Sequence, residues 1–70
     1  MFDTEGLGAR TKDLEIQRDR LVEELKQLEA KRKSGTIDED AYEKKRHDTE
    51  RAIVEVMDRL AQMKFLSGQA

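Results

Sequence analysis

A seven-residue interval governs this chain twice, and one helix-breaking pair separates the two series. Leu14, Leu21 and Leu28 make the first series, with Leu25 between its last two members. Tyr42, Thr49, Val56 and Met63 make the second, interleaved with Arg46, Ile53 and Leu60. Rows spaced three and four residues apart fall on one stripe of a helix and let two helices pack knobs into holes. Leu14, Leu21 and Leu28 then take the d positions of the first helix, and Arg18 and Leu25 its a positions. The chain has no proline to interrupt either helix.

The boundaries carry their own signals. Ser34-Gly35 ends the first helix, because glycine just past the last turn adopts the left-handed conformation that other residues resist. Lys31, Arg32 and Lys33 sit in that last turn, where cations meet the negative end of the helix dipole. Thr36-Ile37-Asp38-Glu39 reads as a capping box for the second helix, with Thr36 as the cap and Glu39 reaching back to it. Asp38, Glu39 and Asp40 place negative charge where the dipole favours it. Near the start, Gly6 and Gly8 each cost a helix about 1 kcal/mol relative to alanine. Residues 1–10, with Phe2 and Leu7, therefore read as a flexible arm; Asp3, Thr4 or Thr11 could cap the first helix, with Thr11 preferred because Leu14 begins the periodic pattern. The expected organisation is a single helical-hairpin domain over 1–70. Helix 1 covers about 12–33, the turn 34–36, and helix 2 about 37–66.

A turn this short makes the helices antiparallel. Folding about Gly35 brings Leu28 near Tyr42, Leu21 near Thr49 and Leu14 near Val56. Tyr42, Leu14, Leu21, Leu25 and Leu28 become the hairpin core. Beyond them the two halves do not balance. Residues 52–66 carry Ile53, Val56, Met57, Leu60, Met63, Phe65 and Leu66, whereas residues 1–20 are mostly charged. An uncovered patch of that kind is one that soluble monomers avoid. These seven residues are therefore the expected protein-interaction face. Arg18, at a seam position, is expected to pair with a carboxylate such as Glu55 or to fix the register.

Composition narrows the function classes. A chain of 70 residues forms one small domain and is marginal alone. Without cysteine it has neither disulfides nor thiolate metal sites, which fits a reducing, cytoplasmic setting. Charged residues are 43 % of the chain and the net charge is −2, with the signs interleaved. That pattern gives no strong nucleic-acid signal, since phosphate binding wants surplus Lys and Arg on one face. Basic clusters do flank the turn, at Lys31-Arg32-Lys33 and Lys44-Lys45-Arg46, so a small nucleic-acid-associated regulator is the alternative reading. No apolar run reaches the ~20 residues of a membrane span. Membrane-surface binding through Phe2, Met63, Phe65 and Leu66 has only Arg59 and Lys64 well placed to support it.

Catalytic and cofactor chemistry lacks its residues. His47 is the only histidine, and with Glu43 it falls short of the three or four ligands a metal needs. Ser34 and Ser67 have no neighbouring histidine and read as capping serines. Asp38-Glu39-Asp40 is consecutive, unlike the alternating ligands of a calcium loop. No catalytic, cofactor-binding or metal residue is assigned, and an enzyme is not expected.

The string Gly35-Thr36-Ile37-Asp38-Glu39-Asp40-Ala41-Tyr42-Glu43-Lys44-Lys45, within residues 28–50, resembles the short helical hairpin family called SHOCT. That resemblance covers about a third of the chain and implies an oligomerisation or protein-contact module. Residues 52–66 have no counterpart in the family's shorter second helix.

The expected fold is all-α: an antiparallel two-helix hairpin, associating into a four-helix bundle or coiled coil. The expected role is a scaffold or adaptor, with a second copy (a dimer) or another protein as partner.

Overall fold

A computed structural model describes residues 4–66 and Gly68, with side chains described from residue 8 onward. Helix α1 runs Thr4–Ser34 and helix α2 runs Glu39–Leu66, 31 and 28 residues. They pack antiparallel into a rod of 52 × 16 × 14 Å. Its radius of gyration is 15.6 Å, against roughly 11 Å for a compact domain of this length.

The seam follows the seven-residue rows. On α1 the side chains withdrawn from solvent include Thr11, Leu14, Arg18, Leu21, Leu25 and Leu28. On α2 they include Tyr42, Arg46, Thr49, Ile53, Val56, Leu60 and Met63. Each set alternates steps of three and four. The buried core is Leu28, Tyr42, Val56 and Leu60. Burying a large apolar side chain is worth about 1.5–3 kcal/mol, so these four and their half-buried neighbours carry the hairpin.

α1 starts earlier than the sequence predicts. It passes through Gly6 and Gly8 back to Thr4, in place of a cap at Thr11. Each glycine weakens a helix by only about 1 kcal/mol, and a helix already nucleated by the turns that follow propagates cheaply through them. Phe2 lies outside the described residues, as does the side chain of Leu7.

The turn uses its residues differently from the expected capping box. Gly35 has φ +74°. Its N–H donates to the Arg32 carbonyl at 3.1 Å, and the Thr36 N–H to the Lys31 carbonyl at 3.0 Å. This pair of bonds is a Schellman closure. The Thr36 hydroxyl also donates to the Lys31 carbonyl (3.2 Å) and meets the Ser34 hydroxyl at 3.0 Å. Thr36 therefore finishes α1 and does not start α2. The first bond of α2 runs from the Tyr42 N–H to the Asp38 carbonyl at 2.8 Å, so Asp38 is its N-cap. The Glu39 carboxylate turns to Arg32, 3.2 Å away. At the far end Gly68, φ +78°, donates to the Phe65 carbonyl at 3.1 Å.

Candidate protein-interaction surface

The closed end of the rod is a polar clasp around one aromatic ring. Tyr42 is 0 % exposed. Its hydroxyl donates to the Glu29 carboxylate on α1. The Arg32 guanidinium lies 4.6 Å from the ring centroid and the Arg46 guanidinium 6.0 Å, within reach of cation–π attraction. Donation to Glu29 and then burial push the Tyr42 hydroxyl above its ordinary value. The Tyr42 oxygen and then the Glu39 charge push Arg32 upward. Arg46 lies 3.4 Å from Glu43 and 3.5 Å from Glu50. Its shielded Nε makes no hydrogen bond, so the contact with Glu50 is ionic. The clasp thus draws Arg32 and Arg46, one cation from each basic cluster beside the turn, onto Tyr42 and neighbouring carboxylates.

The open end is where the expected interaction face must be revised. Val56 and Leu60 are 6 % and 3 % exposed and belong to the hairpin core. Ile53 and Met63 are half-buried in the same seam. The apolar excess of residues 52–66 is therefore covered in large part by α1. Thr11, Leu14 and Arg18 stand in the seam on α1 toward the same end of the rod. Arg18 pairs with its neighbour Asp19 at 3.1 Å, not with Glu55. Its stem stays over the seam while its head group turns outward.

Met57, Phe65 and Leu66 remain exposed, as expected of an interaction face. Val54 joins them at 59 % exposure, a residue that the seven-residue rows did not single out. The signal was present in a second spacing: Val54, Met57, Ala61 and Phe65 step by three, four and four along α2, on a face apart from the seam. Ala61, Gln62, Phe65 and Leu66 line a shallow apolar depression there. On α1, Ile16 and Val22 are also exposed.

Other chemistry does not assemble. Among the described residues, no group of three or more His, Asp or Glu side chains could hold a metal ion. His47 is exposed on α2. Among the described residues no helix is long and apolar enough to cross a membrane. Comparison with family models, with curated proteins and with solved structures finds no match to this chain.

Proposed function

We propose that this chain is a non-catalytic protein-interaction module, acting as a scaffold or adaptor through self-association or a partner protein. The observation that carries this reading is the apolar strip left on α2 after the hairpin has closed: Val54, Met57 and Phe65, with Leu66 beside it. The hairpin's own apolar demand is met by the seam, so this strip is surplus to the fold. Exposed apolar patches on small soluble proteins mark contact sites, and methionine adapts to varied partners. The resemblance of residues 35–45 to the SHOCT hairpins supports the same role, and a cytoplasmic setting is part of the reading.

The test is sedimentation equilibrium of wild type against Val54→Asp. Wild type should exceed the monomer mass of 8.1 kDa as concentration rises. The variant should stay at 8.1 kDa with its helicity unchanged, because Val54 is outside the seam. Wild type and variant with identical mass curves would remove the strip from the role given to it.

A further inference from the structure

We draw no further inference here: the strongest candidate, the apolar strip of Val54, Met57 and Phe65 on the outer face of α2 with the shallow depression beside Ala61 and Leu66, is the surface already given to association, and nothing in the structure shows what covers it.

Discussion

The Tyr42 hydroxyl donates to the carboxylate of Glu29, 13 residues earlier in the chain, and ties α2 to α1 beside the turn. With the Arg32–Glu39 pair, 3.2 Å apart, it joins the same turns of the two helices. The ring is fully buried while its oxygen meets a half-buried carboxylate, so the same residue packs and sets register.

That bond makes stability fall in alkali. The Tyr42 hydroxyl is held above its ordinary value of 10.0. Above that pH the unfolded chain gives up the phenolic proton while the hairpin still holds it. The unfolded state then binds fewer protons, and stability declines as pH rises from 10.0 through the folded value. Tyr42 is the only tyrosine and there is no tryptophan, so tyrosinate absorbance reads this one group. The folded chain should titrate later than the same chain in denaturant. Tyr42→Phe should abolish this contribution to the alkaline decline; an unchanged decline in the variant would show that Tyr42 is not its source.

Two glycines should respond oppositely to alanine. A Cβ on Gly8 meets nothing within 4 Å, and Gly8 lies inside α1. Gly8→Ala should therefore stabilise by about 0.5–1 kcal/mol. A Cβ on Gly35 also has space, but its φ of +74° penalises any L side chain. Gly35→Ala should cost about 1–2 kcal/mol, and Gly35→Asn less. Urea denaturation of the three variants measures both signs.

Leu60 and Leu66 separate fold from surface. Leu60 is 3 % exposed, and Leu60→Ala should cost about 2–5 kcal/mol, enough to threaten a hairpin this small. Leu66 is half exposed, and Leu66→Ala should stay within about 0.5 kcal/mol. Thermal melts at one low concentration keep association out of the comparison.

Thr36 should matter to α1 rather than α2. Thr36→Val keeps the shape but removes the hydroxyl bonds to the Lys31 carbonyl and Ser34. A loss of about 0.5–1.5 kcal/mol is expected. Hydrogen exchange should show it as earlier opening of the last turn of α1, with the first turn of α2 unaffected.

Much of this architecture is legible in the residues themselves. The seam from Leu14 to Leu28, and from Tyr42 to Met63, lies where the seven-residue rows put it, because burial in a two-helix contact obeys helical period. Gly35 marks the turn because its backbone requirement is local. The misreadings share a cause: each depends on which neighbour wins a residue. Thr36 suits either helix terminus, and the Lys31 carbonyl takes it. Gly6 and Gly8 weaken a helix, but propagation from the turns that follow carries α1 through them. Val56 and Leu60 count as surplus in the sequence, but the seam with α1 buries both. Val54 lies off the rows that define the seam, so the seven-residue spacing does not mark it.

The antiparallel hairpin returns the chain to the pole from which it set out. Fluorophores or cargo attached before Thr4 and after Leu66 would leave side by side from that pole, while the Tyr42 clasp stands roughly 3.6 nm away along α2. In mechanical terms the hairpin is a strut: pulling on its two ends unzips the seam one rung at a time, beginning at the Met63 layer, and reaches the tyrosine rivet last.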